Sequence, residues 1–230
     1  GFSGKYLTNF LLKKKYEVHG LSRSEKNSFI NSSNFIKLPF SLDKNLRISG
    51  EFDAIIHTAA TSPNENISNY KIINDNVIGS LNLIDLIRNR EIKTKKFINF
   101  SSLSVLGNIK NKVVYENNHI HNPDIYGSSK FIVEQTLKEL DTQSSISFRL
   151  PAVVGYGANR HWLANTINKF LKNEDILYFN PEHKFNNVIH IETLSKFIFK
   201  LIEKEKFKYN HDILNVSSIN PIKLKDLLIF

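Results

Sequence analysis

Cysteine is absent from all 230 residues, and so is methionine. Without thiols there is no disulfide, no thiolate zinc site and no cysteine nucleophile, and the lack fits a cytoplasmic protein. The missing methionine, with Gly1 in first place, implies that the natural N-terminus lies upstream. No apolar run approaches the ~20 residues that span a bilayer, and no signal-peptide pattern opens the chain. What is present is 41% hydrophobic, enough to bury the core of one α/β domain, alone or with a small second lobe. The formal net charge of +9 comes from lysines scattered through helical stretches such as Lys13-Lys14-Lys15 and Lys200 to Lys208. No basic block carries interleaved aromatics, so solvated helix faces explain the charge first, anionic small substrates second and nucleic acid a distant third.

The most informative stretch runs from residue 97 to residue 130. Phe97-Ile98-Asn99-Phe100-Ser101-Ser102 has the length and flanks of a buried strand. Pro123-Asp124-Ile125-Tyr126-Gly127-Ser128-Ser129-Lys130 reads as a helix start, where proline is tolerated. Tyr126 and Lys130 then share one helix face, and Ser102 leaves the carboxyl end of the strand, where open α/β sheets bind ligands. With 8 Tyr among 230 residues, chance alone gives about one Tyr-x-x-x-Lys, so an exposed tyrosine is the ordinary reading of the pair by itself.

Gly1-Phe2-Ser3-Gly4 leads into Leu7, Phe10 and Leu11 at helical spacing, and Tyr16 to Leu21 follows as a strand. Two glycines opening a helix that feeds a strand match the back half of a Gly-x-x-Gly-x-x-Gly turn, whose N–H groups receive a dinucleotide pyrophosphate. Such a pair is also often just a tight turn. The first strand would lie upstream of Gly1. After the strand comes Leu21-Ser22-Arg23-Ser24, with no acidic residue for an adenosine ribose. Ser22 and Arg23 can cradle a 2′-phosphate, which favours NADP over NAD, and an exposed loop arginine explains them equally well. Phe35 to Leu38 is a third strand and Ala54 to His57 a fourth, followed by small residues, Thr58-Ala59-Ala60-Thr61, that let a cofactor lie against the backbone. A helix carries Ile73, Val77, Leu81 and Ile84 on one face. Strands alternating with helices predict an α/β fold with a doubly wound parallel sheet. Further on, Trp162, Leu163, Ile167 and Phe170 predict one amphipathic helix and Leu194 to Ile202 another. Ile213 to Val216 reads as a strand, and Lys223 to Phe230 as a helix cut short. His57, His161, His183 and His190 do not reach metal-ligand spacing, so no metal is assigned.

Taken together these motifs resemble the extended short-chain dehydrogenases/reductases, in their NAD-dependent epimerase/dehydratase branch acting on nucleotide sugars. The resemblance rests on Gly1 to Gly4, His57-Thr58-Ala59-Ala60, Asn76-Val77-Ile78-Gly79-Ser80, Ser101-Ser102 before Val105-Leu106-Gly107, Tyr126-x-x-x-Lys130 and Arg149-Leu150-Pro151. It covers the whole chain and fades after about residue 155. It implies a Rossmann-like domain over residues 1–155, its first strand missing from the sequence in hand. Residues 156–230 would be mainly a small substrate lobe, with some segments returning to the first domain. It also implies cofactor contacts from Gly1, Phe2, Ser3, Gly4, Ser22, Arg23, His57, Ala59, Ala60, Asn76 and Pro151. The expected partners are a nucleotide-sugar substrate and a second copy of the chain as a homodimer, with no nucleic acid and no membrane.

Several positions depart from the family pattern. Leu106 stands where tyrosine is usual, and no aspartate follows the third strand around Pro39 to Ser41. Phe185-Asn186-Asn187 stands where relatives carry Arg-Asp, and an amide cannot replace a bidentate guanidinium on a diphosphate. Arg160, Asn165, Lys184 and Asn186, with Thr61, are the substrate-binding candidates. The resemblance makes Tyr126 the general acid/base, Lys130 the residue that tunes it and Ser102 a hydrogen-bond partner of the reacting oxygen. A free phenol, at about 10, is a poor base at neutral pH, and Lys130 with a cationic nicotinamide ring is expected to lower it. A dehydratase needs an acid/base pair beside the serine, and Leu103 occupies that place, so epimerase or ketoreductase is preferred. A non-catalytic NADP-binding sensor is the alternative from another class.

Overall fold

The computed structural model describes residues 1–21, 32–38, 46–109, 111, 113–140, 144–159, 161–204, 207 and 210–229. Helix α1 (Phe2–Lys13) buries Leu7 and Leu11 of the predicted stripe, together with Leu12, while Phe10 is half-buried. Strand β1 (Val18–Leu21) pairs in parallel with β2 (Phe35–Leu38), Val18 opposite Phe35. The short β3 (Gly50–Phe52) and β4 (Ile55–His57) precede α2 (Asn69–Ile73), which the Ser68 hydroxyl caps by accepting from Lys71 N. A π-helical turn, Asn74–Ile78, joins α2 to α3 (Gly79–Arg88). β5 (Ile92–Thr94) pairs with β3, and β6 (Lys96–Ser102) runs into a 3₁₀ turn, Leu103–Leu106. Then come α4 (Ile125–Lys138), β7 (Ser144–Leu150), β8 (Ala152–Val154) and α5 (Trp162–Leu171). β9 (Lys184–Phe185), β10 (Val188–His190), α6 (Ile191–Glu203), β11 (His211–Asn215), β12 (Ile222–Lys223) and α7 (Leu224–Leu227) complete the order.

The central sheet is parallel, in the order β11-β7-β6-β4. Among the described residues no strand pairs β1 with β4. Side chains alternate across β6 and β7 with the strand period. Ile98, Phe100, Ile146, Phe148 and Leu150 face α1 and α6, where they join Leu7, Leu11, Leu194 and Ile198 in one core cluster. Phe97 faces the other way, into a second cluster with Ile84 and Ile87 of α3 and Val133 and Leu137 of α4. Helices therefore cover both faces, and the doubly wound parallel sheet is as expected. The residues that share the Phe97 side are polar yet buried: Asn99, Ser101, Ser145, Ser147 and Arg149. Asn99 Nδ2 donates to Ser147 Oγ at 3.0 Å, so this layer satisfies part of its own polarity across the strand pair.

Two elements differ from the sequence reading. The π turn adds a residue to one helical turn and rotates the buried stripe, so that Ile72, Asn76, Ser80, Leu83 and Ile87 are buried while Ile73 and Leu81 are only half-buried. The helix expected from Lys223 begins instead with an extended pair, because Ile222 and Lys223 form an antiparallel ladder with Phe185 and Lys184. Only Leu224–Leu227 is then helical. Among the described residues no helix is long and apolar enough to cross a membrane.

Candidate active site

The site starts at the N-terminus of α4. Asp124 caps it, accepting from Gly127 N at 2.7 Å, with Pro123 just outside the helix. Gly127 then meets the 3₁₀ turn head on: a Cβ there would come within 2.1 Å of the Ser104 carbonyl oxygen. Only glycine permits this approach, and it sets Tyr126 against the end of β6. Its phenol lies within interaction range of the hydroxyls of Ser102 and of Ser62, the latter on the loop after β4. Burial pushes the phenol above its ordinary value, with the Asp124 carboxylate adding to the rise and the two serine hydroxyls pulling it down. The downward shift expected from Lys130 is therefore not what the chain's own groups produce; desolvation prevails.

Lys130, one turn along α4, is 2% exposed. Burial pushes its ammonium down to about 8, opposed by the nearby Glu134 carboxylate. His57, at the end of β4, is also buried, and burial together with the Lys130 charge depresses its imidazole to about 3. Its Nε2 lies 2.8 Å from Ser80 Oγ, and the Ser80 hydroxyl donates to Asn76 O at 2.6 Å. With that hydroxyl proton committed, His57 Nε2 is the donor and the ring is neutral with its proton on Nε2. The ring packs against Phe97, so His57 serves the interior and offers at most its backbone to a cofactor.

Asn76, on the π turn, ties the pieces together. Its Oδ1 accepts from Thr61 N at 2.7 Å, and its Nδ2 donates to Thr61 O at 3.0 Å and to Ser129 Oγ at 3.1 Å. Ser129 passes its own proton to the Tyr126 carbonyl at 2.7 Å. Both amide protons of Asn76 are thus used within the protein, fixing the loop of Thr61 and Ser62 to the helix of Tyr126. Thr61 also donates through its hydroxyl to Asp75, which pairs with Lys71.

The cofactor candidates gather at the start of α1. Gly4 lies so near the loop after β4 that a Cβ would stand 2.7 Å from Thr58 Oγ1. The Phe2 ring borders Gly155 and Gly157 beyond β8, within 3.5 and 3.9 Å of their Cβ positions, and a Cβ on Gly1 would meet nothing within 4 Å. No acidic side chain stands in the first turn of α1 and no side chain caps it. The leading N–H groups of such a turn have no intrahelical acceptor and carry the positive end of the dipole. This corner fits the phosphates of a dinucleotide. Ala59 is exposed, and Ala60 and Pro151 are half-buried. Ser22, Arg23, Arg160 and the Pro39 to Ser41 segment lie outside the described residues.

The substrate candidates are less tightly grouped. Thr61 belongs to the Asn76 clamp, whereas Asn165 and Lys184 are exposed on α5 and β9. Asn186 Nδ2 donates to Ser218 O at 3.3 Å. A cavity of about 220 Å³ beside α5 is lined by Trp162, Thr166, Leu177, Tyr178, Phe179 and Leu224 among others. Sequence reasoning missed this cavity and also missed Ser62, Ser129, Glu134 and the side chain of Arg149. Glu134 was within reach of it, since it lies on the Tyr126–Lys130 stripe at the same four-residue interval.

Solved structures share this architecture. A UDP-N-acetylglucosamine 4-epimerase from Methanobrevibacter ruminantium M1, in complex with UDP-N-acetylmuramic acid, superposes with TM-score 0.84 at 21% identity, over 99% of this chain and 77% of that one. A UDP-glucuronic acid 4-epimerase from Bacillus cereus, in complex with NAD, gives TM-score 0.80 at 19% identity, over 99% and 78%. A UDP-galactose 4-epimerase gives TM-score 0.78 at 19% identity, with the same coverage. At these identities the likeness shows the fold. No curated protein matches the sequence. The sequence model of the NAD dependent epimerase/dehydratase family matches residues 1–217, and the chain belongs to that family.

Proposed function

We propose that this chain is an NAD(P)-dependent epimerase or ketoreductase acting on a nucleotide-activated sugar. The observation that carries the reading is the Tyr126 phenol, set near the Ser102 and Ser62 hydroxyls at the carboxyl end of the parallel sheet, with the buried Lys130 ammonium one helical turn behind it. A bound nicotinamide dinucleotide supplies hydride acceptance and donation at a sugar carbon. Everything else falls to the chain. Gly1, Phe2, Ser3 and Gly4 hold phosphate through backbone N–H groups, and Arg23 tips the preference toward NADP. Tyr126 takes and returns the proton of the reacting hydroxyl, while Ser102 and Ser62 hold its oxygen. Lys130 stabilises the phenolate when the phenol has given up its proton, an interaction worth most in a site shielded from water. Thr61, Asn165, Lys184 and Asn186 are the substrate-binding candidates, with Arg160 from the sequence, and the apolar cavity beside α5 offers a surface for a base.

Incubation with NAD or NADP and a panel of UDP-, GDP- and dTDP-sugars tests the reading. Conversion of one sugar, abolished by Tyr126→Phe with cofactor binding retained, is the expected result. Cofactor binding without conversion of any sugar would instead indicate a sensor.

A further inference from the structure

Behind Lys130 lies a buried ion pair that the proposed chemistry does not use. Glu134, wholly buried on α4 one turn after Lys130, meets Arg149 of β7. Arg149 Nη2 donates to Glu134 Oε2 at 2.8 Å, and its Nε reaches Oε1 at 3.1 Å and Oε2 at 3.2 Å. Ser101 donates its hydroxyl to Oε1. Arg149 is fixed in turn by donating through Nη1 to the Glu116 carbonyl at 3.1 Å, and the Glu116 carboxylate accepts from Asn215 N at 2.8 Å. Residues four apart on a helix are natural salt-bridge partners, yet among the described residues Lys130 makes no ion pair, and both oxygens of Glu134 are taken from the sheet side.

We propose that Glu134 and Arg149 are positioning residues for Lys130: the carboxylate compensates the ammonium from one turn away, while Arg149 holds that carboxylate against β7 and leaves the ammonium unpaired for the phenol. This rests on the catalytic reading of Tyr126 and Lys130. A bare carboxylate would fold back onto Lys130 and draw it from the site, and a neutral residue at 134 would leave a buried ammonium uncompensated, a costly state. The other groups near Lys130 do not replace Glu134. His57 from β4 is neutral and carries no charge that could compensate the ammonium. Asp124 lies at the phenol end of α4, and Asp75 of the adjoining π turn is engaged by Thr61 and Lys71.

The test is a titration of Lys130 by NMR in the whole chain with labelled lysine side chains, the signal assigned by its loss in Lys130→Met. Glu134→Gln keeps the shape and removes the charge; the Lys130 midpoint then falls by about one pH unit or more, and the alkaline limb of the pH–rate profile moves down with it. Arg149→Lys keeps a cation but gives up the bidentate grip, freeing a carboxylate oxygen, and the midpoint rises. Glu134→Asp restores a midpoint near that of the parent. Unmoved midpoints in Glu134→Gln and Arg149→Lys, both with parental circular dichroism, would overturn the proposal and leave the pair a structural strut. Because the titration needs no turnover, a failure of the catalytic reading would appear separately, as full activity in Tyr126→Phe.

Discussion

The Cα of Gly127 faces the carbonyl of Ser104 so closely that one methyl group would sit 2.1 Å from its oxygen. That contact sets the distance between α4 and the end of β6, and so the meeting of Tyr126 with Ser102. Gly127→Ala is expected to push the helix start outward, costing about 1–3 kcal/mol of stability. Turnover should fall further than the melting temperature implies, because the phenol moves with the backbone. A thermal melt beside steady-state kinetics checks both.

Removing the phenolic oxygen isolates the proton transfer. Tyr126→Phe should lower kcat by about 10²–10⁴-fold, the usual contribution of a positioned acid or base, while the dissociation constant for cofactor changes little. Fluorescence titration and kinetics on the same preparation provide the comparison.

Lys130 carries an opposite pair of expectations. Its folded-state value lies below its unfolded value, so the stability associated with the neutral form is present above pH ~10.5 and lost as pH falls through about 8. At neutral pH the fold therefore bears the full cost of burying this charge, up to about 3 kcal/mol from the size of the shift. Lys130→Met should abolish turnover and yet melt higher than the parent at pH 7. A lower melt would show that the ammonium's contacts outweigh its desolvation.

His57 gives a second pH signature. With its imidazole depressed to about 3 against an ordinary 6.5, the stability it lends is complete above 6.5 and is lost as pH falls toward 3. Urea melts across that window should flatten in His57→Gln, whose amide can still donate to Ser80.

Asn76→Ala would leave both backbone groups of Thr61 without their partners in a buried loop. Each such group costs about 1–3 kcal/mol, so a clear drop in melting temperature is expected. If the loop also carries Ser62 away from Tyr126, kcat falls together with the affinity for sugar.

Much of the fold could be read from the chain because its strands are punctuated and its helices striped: Phe35–Leu38 has the bounds that its pattern predicted, and α5 and α6 follow their apolar periods. The β3–β5 pair escaped because Gly-Glu-Phe and Ile-Lys-Thr are too short and polar to show a period. The π turn escaped because an extra residue in a helix leaves no local signature until it finds a partner such as Thr61. In the site, the Tyr126–Lys130 stripe was visible as spacing, whereas Ser62 comes within reach of the phenol only through the Asn76 clamp, a contact across distant elements. The phenol's direction of shift also needed the structure, since burial is a property of packing and not of residue type.

The polar side of β6 and β7 has a consequence beyond its own satisfaction. Greasy helix–sheet contacts are nondirectional and allow a helix to slide or roll by small steps at little cost. Where α4 leans on Ser101 and Arg149 through Glu134, any such step breaks directional bonds in a dry interior. The helix is thereby keyed in both rotation and height. Helix α5, by contrast, buries only Ala164 along its length.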